Sequence, residues 1–240
     1  MALGPYHLKK DTIAEDAPAA VARDLGRRAR DLGLEPLMMF GVHYIEQPDA
    51  VEVYKRRIEQ AAAAKIPYVL AFGSPGDVLE HYSIWVRHLQ EVGPLARAAG
   101  LTVAIKQHGG NTATGRQCAR ILREVDDEGV RMFYDAGNTW WYPNVDPIPD
   151  VSASAEYIRG FAIKDFRAVP RRTICGPGFG VVDHYQLLEP VLRTGRKLPL
   201  LCETLWEPYV PHADVPEKVD ELARRAREFL ESVVAGLKAG

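Results

Sequence analysis

The stretch at 101–138, LTVAIKQHGGNTATGRQCARILREVDDEGVRMFYDAGN, decides how this chain is read. Its apolar run at 101–105 meets Lys106, Gln107 and His108 abruptly and then breaks at Gly109-Gly110, as a buried strand does where it surfaces into a site. A helical segment follows from about Thr112 to Val125, and a second apolar strand at 130–134 delivers Asp135 just ahead of Gly137-Asn138. Strand, helix and strand, with polar chemistry at both strand ends, predict a parallel βαβ unit.

Working outward, the same alternation fills the chain. Toward the N-terminus the pattern predicts a helix at 14–32 stopped by Gly33, a strand at 36–40, a helix at 49–65 and a strand at 67–72 broken by Gly73-Ser74-Pro75-Gly76. A long helix at 78–99 follows, with an interruption expected near Gly93-Pro94 because proline removes a backbone donor. Toward the C-terminus come an aromatic and proline-rich loop at 140–149, a short helix at 151–157 and a strand at 158–165. A long loop through Gly180, a helix at 185–194, a strand at 198–204 and a closing amphipathic helix at 215–237 complete the chain. Strands alternating with helices imply a parallel sheet with right-handed crossovers.

Length and composition set the bounds. With 240 residues, 47% of them hydrophobic, residues 1–240 are expected to form a single α/β domain around one large core. A net charge of -2 gives no electrostatic ground for nucleic acid or a membrane surface as partner, and the Arg-rich helices read as solvated faces. No apolar run approaches transmembrane length, and MALGPYHLKKD lacks the basic and apolar regions of a signal peptide, so a cytoplasmic location is expected. Cys118, Cys175 and Cys202 match neither a CxxC zinc pattern nor a disulfide framework and read as reduced, mostly buried thiols.

Several motifs together carry a resemblance. The segments KQHGG at 106–110, DAGN at 135–138, IKD at 163–165, GFGVVD at 178–183 and LLCE at 200–203 resemble, in order and spacing, those of the xylose isomerase-like sugar isomerase/epimerase family. That resemblance implies a TIM (β/α) barrel. The six strands legible here match strands three to eight of such a barrel, so strands one and two would be missing apart from a stub of the second at Tyr6-His7-Leu8. The expectation is an N-terminally truncated, incomplete barrel with an exposed edge, to be explained by a partner subunit in a homo-oligomer, a domain-swapped segment or simple truncation.

Side chains alternate along a strand, so Lys106 and His108 share one face. Asp135 lies with Phe133, Lys164 with Ala162 and Gly160, and Glu203 with Leu201, while Asp165 points the other way. Four strands thus end in Lys106/His108, Asp135, Lys164 and Glu203, at the C-terminal mouth where barrel enzymes place their chemistry. Sugar isomerases and epimerases of the family hold one divalent cation, often manganese, on a Glu, an Asp, a His and a second Glu. The resemblance puts Lys106, Asp135, Ala162 and Glu203 at those places. Two occupants of the site stay open: the Lys106 ammonium in the position of the cation's charge, or a divalent ion, manganese or magnesium, on His108, Asp135 and Glu203 with water. No nucleotide cofactor is expected, since Gly109-Gly110 and Gly178-Phe-Gly180 read first as turns needing positive φ.

The resemblance further implies proton abstraction beside a carbonyl through an enediolate, on a small carbohydrate or keto-sugar. Glu203 is then the preferred base with Asp135 as its partner, and Lys106 or Lys164 stabilises the oxyanion. A desolvated lysine acting as base or Schiff-base nucleophile is a second option. Plainer readings stand beside these. Lys106 and Asp135 could form only a structural ion pair, and His108 could only bond loop backbone. Trp140, Trp141 and Tyr142 could wall a sugar or pack a loop. His43, His81, His88, His184 and His212 fit no ligand spacing and read as surface or structural. At the level of function, an isomerase or epimerase leads. A keto-sugar lyase or dehydratase and a non-catalytic sugar-binding or assembly subunit are the alternatives. The related AP-endonuclease branch needs a fuller set of His and acidic ligands than this chain offers.

Overall fold

The predicted alternation becomes one sheet. A computed structural model describes residues 2–3, 13–76, 78–213 and 215–239, with backbone alone at 2, 3, 42 and 79. Its seven parallel strands are β1 (Ala2–Leu3), β2 (Met38–Tyr44), β3 (Tyr68–Phe72), β4 (Thr102–Lys106), β5 (Val130–Tyr134), β6 (Ile158–Ile163) and, after a separate hairpin, β9 (Leu200–Cys202), paired in that order. The hairpin is β7 (Asp165–Arg167) with β8 (Thr173–Cys175), antiparallel. Crossover helices α1 (Ala19–Asp31), α2 (Ala50–Ala64), α3 (Leu79–Ala98) and α4 (Gly115–Val125) cover the outer face of the first half. The short α5 (Ala136–Trp141) and α6 (Pro147–Ser154), then α7 (His184–Leu192) and α8 (Pro216–Ala239), complete it.

Among the described residues the sheet does not close into a full barrel: β1 and β9 are its two edges. Six of the strands are those the sequence predicts; the seventh, β1, is only two residues long. The stub expected at Tyr6-His7-Leu8 lies outside the described residues. At the β9 edge the sheet and α8 leave two apolar cavities of about 780 and 510 Å³ that share Leu200, Val234 and Lys238. No described helix is long and apolar enough to cross a membrane.

Two packed layers follow from strand parity. Val69, Val103, Ile105, Val130, Met132 and Tyr134 face outward under the helices in the main core. Met38, Leu70, Ala104 and Phe133 fill the inner face with Phe40, Tyr68 and Leu201 around them. Residues on alternate positions therefore serve different layers, and the inner row runs up to Lys106 and Asp135.

Several boundaries differ from expectation for local reasons. α1 starts at Ala19, five residues later than predicted from 14, because Pro18 stands in extended backbone as its N-cap. α3 passes through Pro94 without a break. Part of the loop predicted at 140–149 is helical: Asp135 accepts from the Asn138 N–H and starts α5, while Asp146 caps α6 with Pro147 in its first turn, where proline is tolerated. The long loop before Gly180 contains the β7–β8 hairpin.

Asp165 organises that loop. Its Oδ1 accepts from the N–H groups of Phe166 at 2.8 Å and Val182 at 3.0 Å, and its Oδ2 from Gly178 at 3.1 Å and Gly180 at 2.9 Å. A Cβ on Gly180 would lie 2.2 Å from Asp165 Oδ1, so only glycine lets the backbone come this close. Replacing Asp165 by asparagine would turn an amide NH₂ toward N–H groups that now find a carboxylate. It is expected to cost about 1–3 kcal/mol, read as a lower urea midpoint at unchanged slope. A midpoint equal to that of the parent protein would show that the loop holds itself without this carboxylate.

Candidate active site

Four inward positions meet at the C-terminal mouth. Lys106 is the last residue of β4, Asp135 follows β5, Lys164 sits between β6 and β7, and Glu203 follows β9, extending the ladder with its N–H on Ile163 O at 2.9 Å. Lys106 Nζ donates to Asp135 Oδ2 and Glu203 Oε2, both at 2.8 Å. Lys164 Nζ lies 3.0 Å from Asp135 Oδ2 and 2.8 Å from Glu203 Oε1. The four side chains form a closed ring of alternating charge. Asp135 is 0% exposed, Lys106 2% and Lys164 5%, whereas the Glu203 side chain is 33% exposed.

Neighbouring residues fix Asp135 in place. Its Oδ1 accepts from Asn138 N–H at 2.9 Å, and its own N–H donates to Gln107 Oε1 at 2.9 Å. Asn138 Nδ2 in turn donates to the Gln107 carbonyl at 2.7 Å, so the motif at 135–138 is a helix cap clamped onto the neighbouring strand end. Gly137 has a separate role: a Cβ there would stand 2.6 Å from Lys164 Cγ, in the path of the lysine stem. Gln107 was not singled out by the sequence, because parity turns its side chain away from the mouth. It acts through the backbone of Asp135, a contact between strands that spacing along one strand does not reveal.

Electrostatics keep Lys106 and Glu203 ionised. Burial disfavours the Lys106 ammonium, but Asp135 and Glu203 outweigh it and hold its pKa above the usual lysine value. Lys106 is therefore protonated at neutral pH, which removes it as the deprotonated base or Schiff-base nucleophile considered from sequence. Burial likewise pushes Glu203 toward protonation, and Lys106 and Lys164 overcome it, holding the carboxyl well below its ordinary range. A carboxyl depressed on folding stabilises the fold above its unfolded pKa and loses that contribution as pH falls. An ammonium raised on folding contributes below its unfolded pKa and loses the contribution as pH climbs through the folded value. The urea midpoint should therefore hold between about pH 5 and pH 10 and drop on the acid side. The acid limb should be shallower in Glu203→Gln than in the parent protein. Superimposable acid limbs would mean that protonation of other carboxylates unfolds the chain.

His108 stands apart from the ring. Its Nδ1–H donates to Gly73 O at 2.8 Å, as the plainer reading anticipated, and its ring packs edge-on to Tyr142 and tilted against Phe72 at centroid distances of 5.3 and 4.9 Å. Burial lowers its pKa, and the two lysines add to this, so it is neutral at physiological pH. His108, Phe40, Phe72, Tyr142 and Asn138 line a cavity of about 120 Å³ with Lys106, Lys164 and Glu203. One wall is aromatic and the floor is charged. Of the three aromatic residues at 140–142 only Tyr142 reaches this cavity. Trp140 stacks on Phe166 at 5.9 Å and Trp141 meets the same ring edge-on, so both serve the hairpin. Three other histidines have structural partners: His88 bonds Ile45 O, His184 bonds Val182 O, and His43 pairs with Asp49 on the surface. All three cysteines are free.

Comparison with known proteins bears on this geometry. The family model for the xylose isomerase-like TIM barrel matches residues 4–233. The chain belongs to that family. Among solved structures, a xylose isomerase domain protein from Planctomyces limnophilus superposes with a TM-score of 0.73 at 18% identity, covering 93% of this chain and 86% of that one. An L-ribulose 3-epimerase gives 0.71 at 16% identity, with 91% and 81% covered. A xylose isomerase-like TIM barrel protein from Mycobacterium smegmatis in complex with magnesium gives 0.68 at 16%, with 93% and 91% covered. No curated protein sequence matches the chain.

This xylose isomerase-like chain does not present a donor set for such an ion. Among the described residues no three His, Cys, Asp or Glu side chains stand together to hold a metal. The set expected from sequence, His108 with Asp135 and Glu203, is not assembled. The lysine ammonium groups fill the space between the two carboxylates, and His108 is turned to the Gly73 carbonyl. An alanine, Ala162, buried on β6, adds no donor.

Proposed function

We propose that the mouth of this half-barrel is an active site that moves a proton at the carbon beside a carbonyl of a small carbohydrate or keto-sugar. The observation that carries the reading is the cavity floor: one partly exposed carboxylate, Glu203, held between two buried ammonium groups. As charge develops on the substrate carbonyl oxygen, Lys106 and Lys164 are already in place to receive it, and preorganised charge in a dry site lowers such barriers most. The same transfer of hydrogen bonds from Glu203 to the substrate oxygen restores the basicity of the carboxylate. The C–H bond then breaks, its proton goes to Glu203, and its electron pair forms the enediolate C=C while the carbonyl electrons pass to oxygen. Returning the proton to the neighbouring carbon, while the hydroxyl proton on the first carbon passes to the neighbouring carbon's oxygen and leaves the first carbon as the carbonyl, completes an isomerisation.

Asp135 takes no proton in this scheme. It is wholly buried and saturated by both lysines and the Asn138 N–H, so it positions the ammonium groups. A single carboxylate that reaches the cavity favours isomerisation on one face over epimerisation, which needs proton donors on opposite faces of the same carbon. The test is incubation of the protein with ketoses in deuterated water, followed by NMR. Solvent deuterium at the carbon beside the carbonyl, without net elimination, is the expected result. Elimination would assign a lyase, and binding without exchange a non-catalytic sugar-binding protein.

A further inference from the structure

Lys106 and Lys164 carry two positive charges, Asp135 and Glu203 two negative ones, and a divalent cation held by two carboxylates has the same balance. The correspondence extends to the contacts. Each ammonium bridges both acids, Lys106 at 2.8 and 2.8 Å and Lys164 at 3.0 and 2.8 Å, as one bridging ion would. We infer that this lysine pair is the site's built-in cation, occupying the place of a divalent ion, and that the chain works at this site without binding a metal.

The geometry opposes exchange of the lysines for an ion. The two side chains enter from different strands, β4 and the end of β6, and are 2% and 5% exposed, so neither can swing into water while its strand stays in the sheet. Displacing them would strip both counter-charges from Asp135, which has no exposure through which water could replace them. Only two carboxylates would then face the ion, with no third His, Cys, Asp or Glu beside them among the described residues, whereas hard divalent cations take six or more oxygen ligands. The inference concerns what fills the site and does not depend on the reaction proposed above.

Two measurements test it, and neither reads activity. Metal analysis of the purified protein, followed by thermal unfolding with EDTA, with millimolar Mn²⁺ and with millimolar Mg²⁺, should find no stoichiometric divalent ion and the same Tm in all three conditions. One divalent ion per chain that EDTA removes with a fall in Tm would overturn the inference. Lys106→Glu adds a third carboxylate beside Asp135 and Glu203 and should convert the site: its Tm is expected to rise by several degrees with Mn²⁺ and to stay low in EDTA, because an ion that binds only the folded form stabilises it. A folded Lys106→Glu protein indifferent to Mn²⁺ would overturn the claim that the ammonium sits in an ion's place. The wild-type titration decides the question of metal binding whatever the stability of the variant.

Discussion

Glu203→Gln is expected to slow deuterium exchange into a ketose by about 10²- to 10⁴-fold, the usual worth of a positioned general base, with the protein still folded. Glutamine keeps the shape of the side chain and one carbonyl oxygen for a lysine, but it cannot hold a proton taken from carbon. Because the side chain is a third exposed, water can serve the lysine it abandons, so unfolding should change far less than exchange does. The acid limb of kcat/KM adds a second readout. In the free protein the lysines hold Glu203 below the ordinary carboxylate range, so the limb should lie on the acid side of that range. Exchange at the parental rate in Glu203→Gln would remove this residue from proton transfer, and the reaction scheme would have to be abandoned with it.

Lys106→Met has the largest expected effect on stability. The lysine is buried, and it neutralises a carboxylate with no access to water. Removing one partner of such a pair typically costs about 3–5 kcal/mol, since the other charge stays buried with less compensation. For a chain of this size that corresponds to a fall in Tm of roughly 10 °C. Lys164 remains 3.0 Å from Asp135, which places the expectation at the lower end of the range. Adding Asp135→Asn to Lys106→Met should restore part of the loss, because the second substitution removes the charge that the first left uncompensated. Strictly additive losses would mean that the two residues do not act as a pair, and a Tm close to that of the parent would mean that water reaches Asp135 after all.

The contrast between these two variants follows from position in the ring. Asp135 and Lys106 lie at its closed side, where the cost of an imbalance falls on folding. Glu203 lies at its open side, where the same charges meet the cavity. The ion pair of Lys106 with Asp135 is present, as the plainer reading has it, and Lys106 also lines the cavity, where the proposed reaction uses its charge.

Much of this was legible along the chain. Strand period, helix period and glycine breaks are local properties, so the six principal strands, their order in a parallel sheet and the polar residues at their tips could be read directly. Parity placed Lys106, Asp135, Lys164 and Glu203 on the inner face for the same reason. The hairpin at 165–175 and the helices at 136–141 and 147–154 were not legible, because their starts depend on side chains that cap backbone groups: Asp135 and Asp146 for the helices, Asp165 for the loop beyond the hairpin.

What the sequence determined by itself is the set of charged groups and the face on which each stands, since both follow from residue type and the two-residue period of a strand. Only the tertiary structure decided that the two ammonium groups close a ring with the two carboxylates, that Gln107 locks the backbone of Asp135, and that His108 turns to a loop carbonyl. Those contacts join residues about 30 to 100 positions apart, and their existence depends on distances of about 3 Å between strand ends, which packing of the whole sheet sets and no local pattern encodes.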